Sequence, residues 1–266
     1  MQGEDDIAQE PLIAATGVSK TYRTVSGGRV NAIAGIDLMI DDGDFVCIVG
    51  PSGCGKSSFL RLVAGLDTVS AGTLTLAGDP VRGPSREVGM VFQNATLLPW
   101  MSVAENVALP LRLGSGKSDD TFVRSLLAMV GLAGFADKYP YELSGGMQQR
   151  AAICRALVRD PKVLLMDEPF GALDALTRER MNVELQRIWQ ASRKTVLLIT
   201  HSIAESIFLG DRVIVMSPRP GRILEDFRID LPRPRNFSET TGNPEYLRLT
   251  REIRAALDAT AGEDAA

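Results

Sequence analysis

A short apolar run that leads straight into a glycine-rich loop is the feature of this sequence that most constrains its fold. Phe45–Val49 has the length and composition of a buried strand, and residues 50–57 read Gly-Pro-Ser-Gly-Cys-Gly-Lys-Ser. This is the G-x-x-x-x-G-K-S pattern, in the strand–loop–helix context that gives the pattern its meaning. The glycines allow a tight turn into a helix, whose first N–H groups and dipole favour an anion. We therefore predict a phosphate-binding loop here rather than an incidental turn.

A second glycine-rich segment also precedes a predicted helix. Residues 143–150 read Leu-Ser-Gly-Gly-Met-Gln-Gln-Arg, and the residues that follow keep helical spacing as far as Arg159. The chain thus offers two helix N-termini to phosphate but only one lysine-bearing loop. The simplest explanation is that Ser144, Gly145 and Gly146 close over a nucleotide that another copy of the chain holds. We therefore expect a dimer with nucleotide at its interface.

Two carboxylates follow the apolar run Val163–Met166. In open α/β sheets ligands bind at the C-terminal ends of the strands, which is where Asp167 and Glu168 would lie. Asp167 suits the shell of a Mg²⁺ ion, directly or through water, whereas Glu168 points elsewhere and can polarise the attacking water. In isolation, a solvated turn explains such a pair equally well. The presence of a phosphate-binding loop favours the catalytic interpretation.

Three further polar or aromatic residues are ambiguous when each is considered alone. Gln93 follows a short apolar run, His201 is the only histidine and follows another such run, and Tyr22 lies in an early β-rich segment. Alone, Gln93 would be an ordinary loop residue, His201 a structural residue and Tyr22 a core aromatic. A neutral imidazole can, however, donate from one nitrogen and accept at the other. Only the order of these residues among the glycine-rich segments favours a functional interpretation.

Composition excludes several function classes. With 266 residues, 45% of them hydrophobic, the chain suits one large α/β domain or a domain with a subdomain. The formal charge of −4 argues against nucleic-acid binding and against adhesion to an anionic membrane. No apolar run approaches the roughly 18 residues of a membrane span, and the acidic N-terminus lacks the order of a signal peptide. We therefore expect a cytosolic protein that reaches any membrane through a partner.

Some individual basic residues and cysteines also carry expectations. The basic clusters Arg219–Arg222 and Arg233–Arg235 are expected in solvated loops. Cys47 and Cys154 have core-like surroundings and are expected to be buried. Cys54 lies inside the phosphate-binding loop, where N–H groups favour a thiolate, so we expect it to react with thiol reagents unless nucleotide protects it.

The order of patterns along the chain predicts the fold class. Early β-rich segments predict an antiparallel β subdomain, and residues 95–160 have helical spacing typical of an inserted helical subdomain. Alternating strands and helices then predict a parallel sheet with right-handed crossovers. We thus predict an α/β fold with a disordered tail at 1–10, the main domain at 11–228, and a C-terminal tail with a short helix at 229–266.

The motifs, taken in order, resemble the ATP-binding subunit of ABC transporters, and the resemblance runs from Leu12 to Leu224. It implies a P-loop NTPase core that binds ATP and Mg²⁺ in a homodimer. Lys56 would reach the β- and γ-phosphates, and the Ser57 hydroxyl would bind Mg²⁺. The implied nucleotide-binding loop consists of Gly50, Pro51, Ser52, Gly53, Cys54, Gly55, Lys56, Ser57 and Ser58.

The same resemblance assigns roles to the ambiguous residues. Gln93 would link Mg²⁺ and water to a transmembrane partner, and His201 would contact the γ-phosphate and position Glu168. Tyr22 would stack on adenine, and Asp174, after Ala172 and Leu173, would cross the dimer interface. Ser144, Gly145 and Gly146 would complete the site of the opposite subunit.

Two further segments resemble the nitrate, sulfonate and taurine importer branch of the family. They are residues 97–100, Leu-Leu-Pro-Trp, and residues 217–222, Ser-Pro-Arg-Pro-Gly-Arg. The resemblance implies permease subunits, an external solute-binding protein reached only through them, and a place at the cytoplasmic face of the cell membrane. Trp100 would be exposed to seat the permease, with a core Trp as the alternative. An exporter ATPase or a non-transport ABC ATPase shares the core motifs, and the sequence does not identify the solute.

Overall fold

The computed structural model describes residues 10–25, 27–115 and 119–261. Except for Glu10, the tail predicted over residues 1–10 therefore lies outside the described residues. The strands are β1 (Ile13–Arg23), β2 (Arg29–Ile40), β3 (Phe45–Val49), β4 (Ala71–Leu76), β5 (Asp79–Pro80), β6 (Val88–Val91), β7 (Val163–Asp167), β8 (Thr195–Ile199), β9 (Arg212–Met216) and β10 (Ile223–Arg228). The helices are α1 (Lys56–Val63), α2 (Val103–Ser115), α3 (Asp120–Met129), α4 (Gly145–Leu157), α5 (Ala175–Ser192), α6 (Ile203–Leu209), α7 (Phe237–Gly242) and α8 (Pro244–Ala261).

Two sheets form the framework. A four-stranded antiparallel sheet has the order β2-β1-β4-β5, and a six-stranded sheet has the order β10-β9-β3-β8-β7-β6. Strands β9, β3, β8, β7 and β6 pair in parallel, and β10 is antiparallel at the edge. Both the antiparallel subdomain and the parallel sheet predicted from the sequence are confirmed. Strand β10 escaped prediction because its sequence, Ile-Leu-Glu-Asp-Phe-Arg, carries charges on an edge strand with little buried surface.

The strand β3 separates two apolar layers. Its side chains alternate, so that Phe45, Cys47 and Val49 join the core under the helical side. Val46 and Ile48 join the core between the central sheet, α1 and the antiparallel sheet. Because both faces of the strand are covered, all five of its residues are buried. The loop that follows β3 therefore begins from a fully buried strand.

The helices α2, α3 and α4 lie between β6 and β7, where the sequence predicts a helical subdomain. Helix α2 contains Pro110 within it. Asp119 caps α3 by accepting from the backbone N–H groups of Thr121 and Phe122. The expected burial of Cys154 in α4 is confirmed, as is that of Cys47 in β3. The exact bounds of the subdomain stay a prediction.

The C-terminal segment is packed more extensively than the short helix expected from the sequence. Helix α8 has 18 residues and follows a second helix, α7. Its residues Tyr246, Leu249 and Ile253 are buried in the core on the helical side. The segment is therefore not a loose extension, although the boundary at residue 228 itself stays a prediction.

Arg235 corrects the expectation that residues 233–235 form a solvated loop. Its side chain is only 4% exposed, and burial lowers its pKa to about 10. The guanidinium donates to carbonyl oxygens at the end of α6 and in the segment after β10. These oxygens belong to Ile207, Phe208, Gly210, Ile229 and Leu231. The end of a helix leaves carbonyls without partners, and a buried arginine supplies the donors that solvent cannot.

We expect Arg235→Ala to lower the free energy of unfolding by at least about 3 kcal/mol, because several buried carbonyls would each lose a donor at ~1–3 kcal/mol apiece. Urea unfolding followed by circular dichroism measures the change. The control is Arg254→Ala, which removes an exposed arginine from α8 and should change the value little. Equal stability of the two variants would contradict the structural role of Arg235.

Candidate nucleotide-hydrolysis site

The loop between β3 and α1 borders a solvent-open cleft of about 380 Å³. Half of the site residues predicted from the sequence line this cleft, together with three that were not predicted as site residues, namely Val30, Ala32 and Arg219. Its other lining residues are Tyr22, Ser52, Gly53, Gly55, Lys56, Ser57, Ser58, Glu168 and His201. Gly50, Pro51 and Cys54 belong to the same loop but do not line the cleft.

The glycines explain the shape of this loop. Gly53 and Gly55 have φ angles of 76° and 108°, in the left-handed region that favours glycine. A Cβ at Gly55 would also lie 2.6 Å from the carbonyl oxygen of Ala32 in β2. Gly55 is the N-cap of α1, and no side chain caps that helix end. The first N–H groups of α1 are therefore available to an anion in the cleft.

Lys56 is the buried cation of the loop. Its side chain is only 4% exposed, and Nζ donates to the carbonyl oxygens of Gly50 at 2.8 Å and Pro51 at 2.9 Å. These bonds fold the lysine back over its own loop, where a bound phosphate would meet a compact point charge.

Cys54 corrects an expectation from the sequence. Its side chain is 1% exposed and packs in the core between α1 and the antiparallel sheet. The loop turns at the glycines on either side, and this directs the thiol inward. Only the backbone of Cys54 remains to face a nucleotide, so the reactive, nucleotide-protected thiol expected from the sequence is not supported.

Ser57 and Asp167 form the pair of oxygen groups best suited to a metal ion. The Ser57 hydroxyl donates to Asp167 Oδ1 at 3.0 Å. Burial raises the pKa of Asp167, and the charge of Glu168 adds to this, whereas the hydrogen bond from Ser57 opposes it. The described residues contain no cluster of three His, Cys, Asp or Glu that could hold a metal alone. Two oxygen groups beside a phosphate site fit Mg²⁺, which usually takes few protein ligands and completes its shell with phosphate and water.

Glu168 and His201 are in direct contact. His201 Nε2 lies 2.5 Å from Glu168 Oε1, and the backbone N–H of Glu168 donates to the carbonyl oxygen of Ile199 at 3.0 Å. Glu168 has a φ of 47°, which is uncommon for a residue with a side chain and is often found at functional sites. The turn directs its carboxylate into the cleft rather than into the core under β7.

Gln93 lies on the other side of Glu168. Both residues line a second cleft of about 410 Å³, next to the first. A Cβ at Gly171 would lie 3.3 Å from Gln93 Nε2 and 3.7 Å from Glu168 Oε2, so the two side chains flank one glycine. Gln149 of α4 donates to the carbonyl oxygen of Phe92 at 3.0 Å and so holds the chain just before Gln93. The structure thus groups Gln93 with Glu168, and a role as Mg²⁺ ligand stays a prediction.

Arg178 is a residue of this region that sequence reasoning missed. Its guanidinium donates to the carbonyl oxygens of Phe170 at 3.3 Å and Leu173 at 3.0 Å. It thereby braces the loop from Glu168 to Asp174. An arginine in the first turn of a helix carries no sequence signal for this bracing role, because its partners are backbone atoms.

Asp174 lies at the end of this loop and caps α5. Its side chain accepts from Thr177 N at 3.0 Å, and hydrogen bonds from Thr177 lower the pKa of Asp174.

Tyr22 and Trp100, the two aromatic residues with predicted functional roles, differ in exposure. The Tyr22 hydroxyl donates to Asp67 Oδ2 at 2.9 Å, and its half-buried ring borders the first cleft. Trp100 is 69% exposed, so the alternative of a core tryptophan is wrong. The turn before Trp100 is held by Asn106, whose side chain accepts from Leu98 N at 2.7 Å and donates to Leu98 O at 3.1 Å.

Ser144, Gly145 and Gly146 lie away from the first cleft. Ser144 is the N-cap of α4 and accepts from Met147 N. It lines a separate hollow of about 380 Å³ with Gly146, Met147, Arg150, Thr177, Arg180, Met181 and Glu184. Within one chain the two glycine-rich segments are therefore not brought together.

Glu205 is a buried acid beside Glu168 and His201 that the sequence did not reveal. It lines the second cleft, is 4% exposed, and its Oε1 has no hydrogen-bond partner among the described residues. Burial raises its pKa, whereas hydrogen bonds with Thr200 and Asn182 and the charge of Arg178 oppose the rise.

A raised pKa means that the folded chain holds this proton more tightly than the unfolded chain does. The free energy of unfolding of the wild type should therefore fall as the pH rises from the pKa that Glu205 has in the unfolded chain to the pKa that it has in the folded chain. Glu205→Gln cannot ionise, so we expect its free energy of unfolding to fall less between pH 5 and pH 7 and to exceed that of the wild type at pH 7. Urea unfolding at both pH values is the measurement.

The control for this prediction is Glu179→Gln, which neutralises an exposed acid of α5. It should reproduce the pH dependence of the wild type. If Glu205→Gln and the wild type lost the same stability over this interval, Glu205 would be ionised throughout, and the assignment of its pKa would be wrong.

Comparison with known proteins identifies the family. A profile described as "ABC transporter" matches residues 33–171. A taurine import ATP-binding protein, TauB, from Jannaschia sp. is 44% identical over 246 residues, which cover 91% of this chain and 92% of that protein. A nitrate import ATP-binding protein, NrtD, from Synechocystis sp. is 47% identical over 237 residues, covering 86% and 89%.

A solved structure supports the same conclusion. It is described as the dimeric structure of a post-hydrolysis state of the ATP-binding cassette MJ0796 bound to ADP and Pi. It superposes with a TM-score of 0.72 at 31% identity, over 83% of this chain and 100% of that chain. The predicted fold class is therefore confirmed. The cleft, the motifs and these relatives agree that this chain belongs to the ATP-binding subunits of ABC transporters and is an ATP hydrolase.

Proposed function

We propose that this chain is the ATPase subunit of an importer and hydrolyses ATP at two composite sites of a homodimer to drive solute uptake through a separate permease. The observation that carries the proposal is the separation of the two glycine-rich segments. The cleft of one chain holds Lys56, Ser57 and the Glu168–His201 pair, whereas Ser144 lies in a different hollow. A second copy of the chain is the simplest source of a glycine-rich segment that could close this cleft.

The groups of one chain would bind and activate the nucleotide. The free N–H groups of α1 and the Lys56 ammonium would hold the phosphates, and Tyr22 would stack on the adenine. Ser57 and Asp167, with Gln93 nearby, would hold Mg²⁺, which neutralises developing phosphate charge when bound. Glu168 would accept a proton from the attacking water. His201 would orient that carboxylate, because the two side chains are already within 2.5 Å.

The second copy would contribute the segment that responds to the γ-phosphate. Ser144, Gly145 and Gly146 of that copy would contact the γ-phosphate at the N-terminus of α4, and its Asp174 would cross the interface. ADP lacks these γ-phosphate contacts, so ATP favours the closed dimer and hydrolysis reopens it. The dimeric cassette among the structural relatives supports this assembly.

The permease would dock near Trp100. An exposed tryptophan on a braced turn is suited to an interface, where aromatic residues contribute strongly to affinity. No helix in the described part of the chain is long and apolar enough to cross a membrane. Because the relatives are named for import, we place the chain at the cytoplasmic face of the cell membrane, bound through the permease. An external solute-binding protein would be reached only indirectly, and the charge of −4 gives no support to a nucleic-acid partner.

The names of the relatives favour import over export and suggest the solute class. The two relatives above are named for import of taurine and nitrate. We propose a solute of that kind, namely nitrate, taurine or another sulfonate. Growth of a deletion strain on nitrate or taurine as the defined nitrogen or sulfur source would test this assignment, and normal growth on each of them would contradict it.

We expect Glu168→Gln to slow ATP hydrolysis by about 10²–10⁴, because a carboxylate that takes a proton contributes about that much to the rate. ATP binding should survive, since Lys56 and Asp167 are retained, and the variant should therefore accumulate as an ATP-dependent dimer. Phosphate release and size-exclusion chromatography measure the two effects. Glu179→Gln is the matched control and should behave as the wild type.

Adding Ser144→Arg to Glu168→Gln tests the composite site. The bulky side chain would occupy the place of the γ-phosphate on the opposite subunit, so the ATP-induced dimer should disappear. Near-normal hydrolysis by Glu168→Gln would remove it as the general base. An ATP-induced dimer that persisted with Ser144→Arg would contradict the assembly itself.

We expect Trp100→Ala to leave ATP affinity and thermal stability of the isolated subunit nearly unchanged, because the side chain is exposed and distant from the core. Association with the permease should weaken by tenfold or more, as is usual for an aromatic anchor worth about 2 kcal/mol. Co-purification with the permease subunits provides the measurement. Leu247→Ala, which removes an exposed apolar side chain from α8, is the control, and equal retention of the permease by both variants would contradict the docking site.

A further inference from the structure

The loop between β9 and β10, residues 217–222, is not the freely solvated segment expected from its basic residues. Ser217 N donates to the carbonyl oxygen of Arg222 at 2.9 Å, and the Ser217 hydroxyl accepts from Arg222 N at 3.0 Å. The same hydroxyl donates to the carbonyl oxygen of Pro218 at 2.9 Å. These bonds close the loop on itself and give it a defined shape.

Gly221 attaches this loop to both sides of the nucleotide cleft. Its N–H donates to Ala32 O at 2.9 Å, and its carbonyl oxygen accepts from Ala34 N at 3.0 Å, so the loop is bonded to β2. A Cβ at Gly221 would collide with the carbonyl oxygen of Cys54. The loop thus lies directly against the phosphate-binding segment, and only glycine permits that approach.

Arg219 extends from this anchored loop to the cleft. Its Nε donates to the carbonyl oxygen of Gly53 at 3.2 Å, and Nη2 lies 3.1 Å from the position that a Cβ of Gly53 would take. The side chain is exposed and lines the same cleft as Lys56 and Tyr22. The guanidinium has five N–H donors, and the bond to Gly53 is the only hydrogen bond that it makes with the described residues.

The chemistry of the cleft indicates what those donors would bind. Lys56 and Arg219 are the lysine and the arginine that line the cleft, and Nζ of Lys56 is already bonded to two carbonyl oxygens. A guanidinium presents a planar fork that matches phosphate oxygens, and it keeps its charge at any physiological pH. Its bond to Gly53 engages Nε and leaves Nη1 and Nη2 without a hydrogen bond to the described residues, at the border of the cleft.

We propose that Arg219 is a nucleotide ligand, whose guanidinium binds the phosphate chain of ATP and ADP from the Gly53 side of the phosphate-binding loop. This inference rests on the proposed role of residues 50–58 in holding the phosphates. It adds a cation from the last third of the chain to a site otherwise built from the β3–α1 loop and the ends of β7 and β8.

The test is the affinity of the purified full-length subunit for ADP with Mg²⁺, measured by isothermal titration calorimetry, because ADP is bound without turnover. Arg219→Gln should weaken ADP binding about tenfold, equivalent to ~1.4 kcal/mol, and should leave the affinity for adenosine unchanged. The ADP affinity of Arg219→Lys should lie between those of the wild type and Arg219→Gln, since lysine keeps the charge but lacks the planar fork of donors. Arg222→Gln, in the same loop but outside the cleft, is the matched control and should bind ADP as the wild type does.

Three outcomes overturn the inference. The first is wild-type affinity for ADP in Arg219→Gln. The second is equal weakening of ADP and adenosine binding in Arg219→Gln, and the third is equal weakening of ADP binding by Arg222→Gln. Either of the last two would make the loop a support for the shape of the cleft rather than a phosphate ligand. If Arg219→Gln lowers the melting temperature without nucleotide, the comparison is made with Arg219→Lys, which must still lose affinity for ADP and not for adenosine.

Lys56→Ala distinguishes this inference from the proposed function. Loss of ADP binding in Lys56→Ala with full binding in Arg219→Gln would refute the Arg219 contact alone. Full ADP binding in Lys56→Ala would instead refute the role of the phosphate-binding loop, on which both proposals depend.

Discussion

Close contact between backbone segments at the phosphate-binding loop is the constraint on which the rest of this structure depends. Gly55 lies against the Ala32 carbonyl, and Gly221 lies against the carbonyl of Cys54 while bonding to β2 on its other side. The antiparallel sheet, the loop after β3 and the loop after β9 therefore meet through backbone atoms at these two glycines. Side chains larger than hydrogen at the two glycines would separate the sheets and open the cleft.

On the other side of the cleft, one short loop links hydrolysis to both proposed partners. The segment from Glu168 to Asp174 begins at the carboxylate that contacts His201, passes Gly171 beside Gln93, and ends at the cap of α5. Arg178 ties its carbonyls together, so the segment would move as a unit. A displacement of Gln93 or of Asp174 would therefore reach the carboxylate of Glu168, which we propose as the proton acceptor.

The sequence predicted the fold class and most residues that line the cleft, because these signals are local. A glycine pattern after an apolar strand, or two acids at a strand end, can be recognised within a few residues. Arg178, Arg219 and Arg235 were missed or misjudged for a common reason. Each donates to backbone carbonyl oxygens. Because every residue has such an oxygen, the sequence does not show which arginine is bonded to one and which lies in solvent.

Cys54 and Glu205 show a second limit on what the sequence can predict, which concerns burial. Both lie within or next to recognised motifs, yet their burial depends on turns and packing that residue types alone do not specify. The glycines on either side of Cys54 turn its thiol into the core, and α6 places Glu205 beside Glu168 and His201. Neighbouring positions in one motif thus differ in chemistry, since backbone direction decides which of them meets the nucleotide. A motif therefore locates a site, whereas the roles of its individual residues follow from the contacts of each side chain.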